Sequence, residues 1–107
     1  MHRMTVQYDA PGDPDGFERH YREVHVPLVA AVPGLRRCTL TRPRALAGDA
    51  PYLLAELWFD DGDALRAALR TPEMAATGED AAAMSEQYAV PRIVMFTGDV
   101  DEVELAG

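Results

Sequence analysis

Residues 52–59 read YLLAELWF, a run that places apolar side chains on both faces of an extended strand. Side chains alternate between the two faces of a strand, so the run divides into two sets. One face carries four apolar residues: Leu53, Ala55, Leu57 and Phe59. The other carries three around one carboxylate: Tyr52, Leu54 and Trp58 around Glu56. A sheet containing this strand is therefore predicted to be packed against other elements, or against another chain, on both of its faces.

The segments around this strand alternate in the same way. Period-two patterning predicts further strands at 3–9, 35–42 and 92–100, with the loop RALAGDAP before residue 52. In the first of them, Met4, Val6 and Tyr8 share one face, while Thr5 and Gln7 share the other. The chain thus has four candidate strands.

Helical spacing separates the strands. Apolar residues at Phe17, Tyr21, Val24 and Leu28 predict a helix that starts at Pro14, is capped by Asp13 and ends at the VPG of 32–34. A second helix is predicted over 64–70, and Thr71 is expected to start a short third one. Residues 78–90 are ambiguous, with helix favoured around EDAAAM and loop beyond it.

The element order is β-α-β-β-α-β, which predicts an α+β, ferredoxin-like fold. In this arrangement an antiparallel four-stranded sheet carries both helices on one face. The apolar residues left on the other face predict a homodimer in which two sheets face each other. We expect one domain over 1–107, with a core of about 4–100 and an acidic tail at 101–107.

The composition excludes several classes of protein. The net charge of −8 argues against a nucleic acid or an anionic membrane as partner. All ten basic residues are arginine, the only serine is Ser85 outside any G-x-S-x-G, and no glycine-rich nucleotide motif occurs. No run reaches the roughly 20 apolar residues that span a bilayer. A single cysteine, Cys38, and the lack of a signal-peptide segment predict a cytoplasmic protein.

Two segments, one in the first predicted helix and one directly after it, resemble a known family. The pattern F-x-x-x-Y-x-x-x-H-V-P-L at 17–28, followed by PGLRR at 33–37, resembles the EthD family. DPDGF at 13–17, AELWFDDGDAL at 55–65 and TPEM at 71–74 are also similar to it, so the resemblance covers about 4–100. It implies a dimeric α+β barrel, related to cofactor-free monooxygenases, lactone isomerases and polyketide cyclases and grouped with oxidoreductases. No cofactor or metal is expected, since nothing in the sequence is recognisable as a flavin or haem site and no metal-binding motif occurs.

His25 is the candidate catalytic residue. On a helical wheel it lies about 60° from the centre of the apolar stripe, so it should face the seam between helix and sheet. Two residues later, Pro27 removes a helical hydrogen bond at a cost of roughly 3 kcal/mol and is expected to kink or restart the helix. Histidine acts as a general acid or base near neutral pH. The alternative is a half-buried histidine that only holds the kink.

Other polar and aromatic residues are assigned by position. His20 is about 140° from His25 on an α-helix and is expected at the surface. The candidate substrate-binding residues are Tyr21, Tyr8, Leu28 and Trp58. Packing is an alternative role for both tyrosines, and the dimer interface is one for Trp58. Glu56 is expected to pair with Arg36 or Arg37 of the second strand.

Three hypotheses for the function follow. The first is a cofactor-independent enzyme, either monooxygenase-like or isomerase- or cyclase-like, acting on a small apolar or aromatic molecule between the first helix and the sheet. The second is a non-catalytic accessory protein that binds a hydrophobic metabolite, and the third is a purely structural dimer. A cavity of about 300 Å³ or more would favour a ligand, whereas a seam filled by side chains would favour the structural dimer.

Overall fold

Four strands form one antiparallel sheet in the order β2-β3-β1-β4. The structure is a computed structural model that describes all 107 residues. The strands are β1 (His2–Tyr8), β2 (Arg37–Thr41), β3 (Leu53–Phe59) and β4 (Ile93–Asp99). With the helices on one face of this sheet, the predicted ferredoxin-like arrangement is confirmed.

Three of the four helices begin at a residue whose side chain caps them. They are α1 (Pro14–His20), α2 (Val26–Ala30), α3 (Gly62–Leu69) and α4 (Pro72–Gln87). The carboxylate of Asp13 accepts from the N–H of Gly16, and the hydroxyl of Thr71 accepts from the N–H of Met74. The prediction of a short third helix was wrong, because α4 runs for 16 residues through the ambiguous segment.

A π-helical turn, Tyr21–His25, joins α1 to α2. In it the N–H of Val26 donates to the carbonyl of Tyr21, five residues back. Pro27 follows in the first turn of α2, where a missing N–H costs least. The helix therefore restarts next to the proline, as expected.

The core lies between the helices and one face of the sheet. The predicted inner face of β3 is buried along its whole length, and Val6 and Tyr8 of β1 are buried beside it. The helices contribute buried side chains from each segment: Phe17, Tyr21, Val29, Leu65, Met74 and Met84. Burial of these alternating and helically spaced residues is what fixes the sheet register.

The outer face of the sheet is more polar than β3 alone indicates. Arg3 of β1 lies opposite Trp58, and its guanidinium bonds Glu56 at 2.8 Å, so the predicted partner of Glu56 from β2 was wrong. The guanidinium groups of Arg3 and Arg37 lie 5.4 and 5.2 Å from the centre of the Trp58 ring. The register alone does not select the partner, because Arg3 of β1 and Arg37 of β2 both lie opposite Trp58; of the two, Arg3 is the one that bonds Glu56.

Two buried polar atoms on this outer face have no hydrogen-bond partner, Oγ1 of Thr5 and Nε1 of Trp58. Phe96 of β4 lies opposite Thr5 and is 45% exposed.

None of the helices is both long and apolar enough to cross a membrane.

Candidate active site

A cavity of about 210 Å³ lies between the helices and the inner face of the sheet. It is bounded by β1, β3 and β4 on one side and by the π turn, α3 and α4 on the other. Ten of its thirteen lining residues are hydrophobic. The volume is below the 300 Å³ criterion, but it exceeds the roughly 150 Å³ that holds a benzene molecule in a dry apolar cavity. Side chains therefore do not fill the space between the helices and the sheet, and a small molecule fits there.

His25 lies in the wall of this cavity and is itself only 4% exposed. Its Nδ1 lies 2.9 Å from a carboxylate oxygen of Asp80 on α4. A carboxylate only accepts, so neutral His25 carries its proton on Nδ1 and leaves a lone pair on Nε2. Nε2 makes no hydrogen bond within the chain. A free ring nitrogen at a cavity wall can exchange a proton with a bound molecule.

The same carboxylate also binds His20. Nε2 of His20 lies 2.9 Å from the other oxygen of Asp80, and the hydroxyl of Tyr88 lies 3.4 Å from Nδ1 of His20. The expected surface position of His20 was wrong, because its side chain is only 17% exposed. The π turn is the reason: its bonds close over five residues, which brings residues five apart closer to one face.

Burial sets the protonation of His25. It lowers the pKa of His25 from its ordinary value of 6.5, although the Asp80 carboxylate acts in the opposite direction and His20 adds a smaller lowering effect. At neutral pH the imidazole is therefore uncharged and able to accept a proton. Asp80 would then face the imidazolium that proton uptake creates.

Two tyrosines complete this end of the cavity. The Tyr21 ring lies 4.8 Å from the His25 ring, and Tyr8 packs edge-on against Tyr21 at 5.7 Å. Burial raises the pKa of Tyr8 to about 12 and raises that of Tyr21 as well. Both hydroxyls stay protonated at neutral pH, so they can donate hydrogen bonds to an oxygen of a bound molecule.

The structure brings together three of the five residues that the sequence nominated: His25, Tyr21 and Tyr8 all line the cavity. Leu28 does not, because it faces a shallow groove between α2 and α4. Trp58 does not either, since the alternation of β3 places it on the outer face of the sheet.

The sequence reasoning missed Asp80. A signal existed: Asp80 lies three residues after Thr77 and four before Met84, both buried on the inner face of α4. A carboxylate on a buried helical stripe needs a partner. The ambiguity over 78–90 concealed that stripe. No group of three or more histidine, cysteine or acidic side chains is arranged to hold a metal ion.

Fold and cavity together define a ferredoxin-like α+β protein with a small apolar cavity between helices and sheet. The chain belongs to the EthD family, since residues 10–87 match the EthD domain. It is also 34% identical over 105 residues to an uncharacterised 11.0 kDa protein of the thcB-thcC intergenic region of Rhodococcus erythropolis, with 96% of this chain and 98% of that protein covered.

Solved structures with the same fold include the following three. An EthD family protein of Bacillus halodurans superposes with a TM-score of 0.82 at 30% identity, covering 94% of this chain and 99% of that one. SnoaB of Streptomyces nogalater, a cofactor-independent oxygenase, gives 0.67 at 22% identity over 95% and 94%. A dimeric ferredoxin-like protein of unknown function from Thermobifida fusca gives 0.66 at 19% identity over 92% and 90%.

Proposed function

We propose that this protein is a cofactor-independent enzyme in which His25 transfers a proton to or from a small apolar or aromatic molecule bound in the cavity. The observation that carries the proposal is the 2.9 Å bond between His25 and Asp80, made by a buried imidazole that lines an apolar cavity. A carboxylate that fixes one ring nitrogen and leaves the other free is the arrangement used by general bases.

The reaction would begin at Nε2 of His25. This nitrogen takes a proton from a C–H or O–H group of the ligand, and the electron pair of the broken bond stays on the ligand. The imidazolium formed keeps its Nδ1 proton on Asp80, whose charge stabilises it. A hydroxyl from Tyr8 or Tyr21 donates to the ligand oxygen where negative charge develops.

This chemistry fits both reaction classes that the family resemblance implies. An anion formed by proton removal is the starting point for isomerisation or cyclisation, and it is also the electron-rich species that reacts with dioxygen. The likeness in fold to SnoaB, a cofactor-independent oxygenase, supports the second class. The proposal assigns the protein no cofactor.

An alternative is a carrier that binds a hydrophobic metabolite without turnover. The apolar lining favours it, because ten hydrophobic side chains would hold a ligand by burial alone. The carrier would need no free base, so its affinity should change little on His25→Gln. The enzyme hypothesis requires that substitution to remove the reaction.

We also propose that the protein is a homodimer formed by the outer faces of two sheets. The side chain of Phe96 supports it, because this large apolar group lies on the outer face of β4 and is 45% exposed, and a second copy would remove it from water. The fold is shared with a protein described as dimeric.

Proton abstraction can be tested before the substrate is known. Acetophenone, one ring with an enolisable methyl ketone, is incubated with the protein in D2O, and deuterium uptake at the methyl group is followed by NMR. We expect exchange to be catalysed, and His25→Gln to slow it by about 100-fold or more, the usual contribution of a general base.

The matched control is His2→Gln, because His2 lies at the end of β1, bonded to Asp99 and away from the cavity. It should leave the exchange rate unchanged. Catalysed exchange that survives His25→Gln would refute the role of His25. Binding of acetophenone with no exchange above background would favour the carrier.

A further inference from the structure

Gly78 lies in the interior of α4, where the fold gives no reason for a glycine. Its φ is not in the left-handed region, which among the glycines is reached only by Gly34 and Gly48. A Cβ added at Gly78 would meet no atom within 4 Å. Glycine is nevertheless one of the least favourable residues for a helix interior. Backbone conformation and packing therefore both leave this glycine unexplained.

Two other glycines show what a packing requirement looks like in this protein. A Cβ on Gly12 would lie 2.9 Å from the Cβ of Ala89, and one on Gly16 would lie 2.7 Å from the Tyr88 ring. At those positions a side chain cannot be added unless a neighbour moves. At Gly78 the missing side chain leaves open space instead.

That open space is the mouth of the cavity. Of the thirteen lining residues, three are exposed to solvent and the others are buried or half-buried. The exposed three are Leu69 at the end of α3, Gly78 on α4 and Met95 on β4. Leu69 and Met95 carry long side chains, whereas Gly78 has none, so we infer that the mouth is most open at Gly78.

Gly78 and His25 line the same cavity. Thr77 and Ala81 flank Gly78 along the same wall of α4, and both line the cavity. The next residue on that helix to face His25 is Asp80, which holds its ring. A molecule that passes Gly78 thus moves along the helix that fixes the base.

We propose that Gly78 is a specificity-determining residue that keeps the mouth of the cavity open and sets the size of the ligand. The 210 Å³ volume corresponds to one aromatic ring with small substituents, or to a short branched chain of similar bulk. The proposal rests on the proposed function, since it takes this cavity as the ligand site.

Toluene is a suitable probe, because it fits the volume and carries no polar group. Its binding is measured through the 13C-labelled methyl groups of Met4, Met74 and Met95, three of the lining residues. We expect Gly78→Leu to weaken toluene binding by at least about tenfold, since one methylene in an apolar pocket is already worth that much. Gly78→Leu should still fold, because the position has free space and leucine favours a helix.

Two variants act as controls. Ala83→Leu places the same side chain on α4 about 140° away, at an exposed position outside the cavity, and Gly78→Ala adds only a methyl group. Both should keep toluene affinity within about twofold, the size of an ordinary surface effect.

Equal toluene affinity in Gly78→Leu and in the unsubstituted protein would overturn the proposal. So would the absence of methyl shifts in the unsubstituted protein, because no passage would then exist. The acetophenone exchange lost on His25→Gln is a separate result. The toluene experiment tests whether Gly78 controls entry to the cavity, and the acetophenone experiment tests whether His25 is a base. The two proposals can therefore fail independently.

Discussion

At the scale of single residues, one carboxylate organises the site. Asp80 accepts from His25 through one oxygen and from His20 through the other, which fixes the plane of the carboxylate and the tautomer of both rings. Burial opposes charge on His25, while Asp80 favours it. The balance leaves an uncharged base at neutral pH that is still able to accept a proton.

This balance predicts how stability depends on pH. The pKa of His25 in the folded protein is below its ordinary value of 6.5. At a pH between the folded pKa and 6.5, the unfolded chain therefore binds more protons than the folded protein. The contribution of His25 to stability is complete above about pH 6.5 and decreases as the pH falls toward the folded pKa. Urea unfolding measured across this range, with His25→Gln as reference, should show that loss.

An NMR titration of the His25 ring gives a second readout of the same balance. Asp80→Asn removes the charge that favours the imidazolium, so the pKa of His25 should fall further. A pKa that rises in Asp80→Asn would contradict the assigned role of the carboxylate.

The sequence could predict part of this site. The helical wheel and the family pattern both pointed to His25, and the strand alternation placed Tyr8 on the inner face. The position of His20 could not be predicted from an ideal α-helix, because a π turn changes the angle between residues five apart. Asp80 was missed because its helix was not recognised as continuous.

At the scale of elements, the junction between α3 and α4 depends on one hydroxyl. Oγ1 of Thr71 donates to the carbonyl of Ala68 at 2.7 Å and accepts from the N–H of Met74 at 3.2 Å. It therefore satisfies a backbone group at the end of one helix and another at the start of the next.

We expect Thr71→Ala to lower the free energy of unfolding by about 1–2 kcal/mol, in the upper range for loss of an N-cap. Thr71→Ser keeps the hydroxyl and should recover most of that loss. Chemical denaturation of the three proteins gives the comparison. Equal destabilisation by serine and alanine would mean that the threonine methyl, and not the cap, is what matters.

The elements were easier to predict at their starts than in their extent. Asp13 and Thr71 act as caps, as their residue types indicated. The length of α4 was less evident, because Gly78 interrupts its apolar stripe and two of its inward-facing residues, Thr77 and Asp80, are polar. Tertiary contacts with α2, α3 and the π turn, including the bond from His25 to Asp80, compensate for that weak local signal.

At the scale of the whole molecule, the outer face of the sheet is the surface proposed for dimer formation. The order of elements along the chain and the two-faced pattern of β3 were predictable from hydrophobic periodicity. The arginine cover on Trp58 was not, because it depends on the register between β1 and β3. This face exposes the large apolar side chain of Phe96, and exposed apolar surface is unfavourable in water.

We expect light scattering to give twice the 11.7 kDa of the protomer at micromolar concentration. Phe96→Asp should return the mass to that of one protomer, because Phe96 lies on the outer face and is already partly exposed, so the fold should tolerate the charge. Val103→Asp, at an exposed site beyond β4, is the matched control and should stay dimeric. An unsubstituted protein of 11.7 kDa would refute the dimer.

The central strand β1 belongs to both surfaces. Its alternation sends Met4, Val6 and Tyr8 into the cavity wall and Arg3 and Thr5 to the outer face. If two copies associate through their outer faces, the ligand lies on one side of β1 and the partner subunit on the other. Only the backbone of this strand then separates them. Ligand binding and assembly would then be thermodynamically linked: a ligand that shifts β1 would change dimer affinity, and dimer formation would change ligand affinity by the same factor.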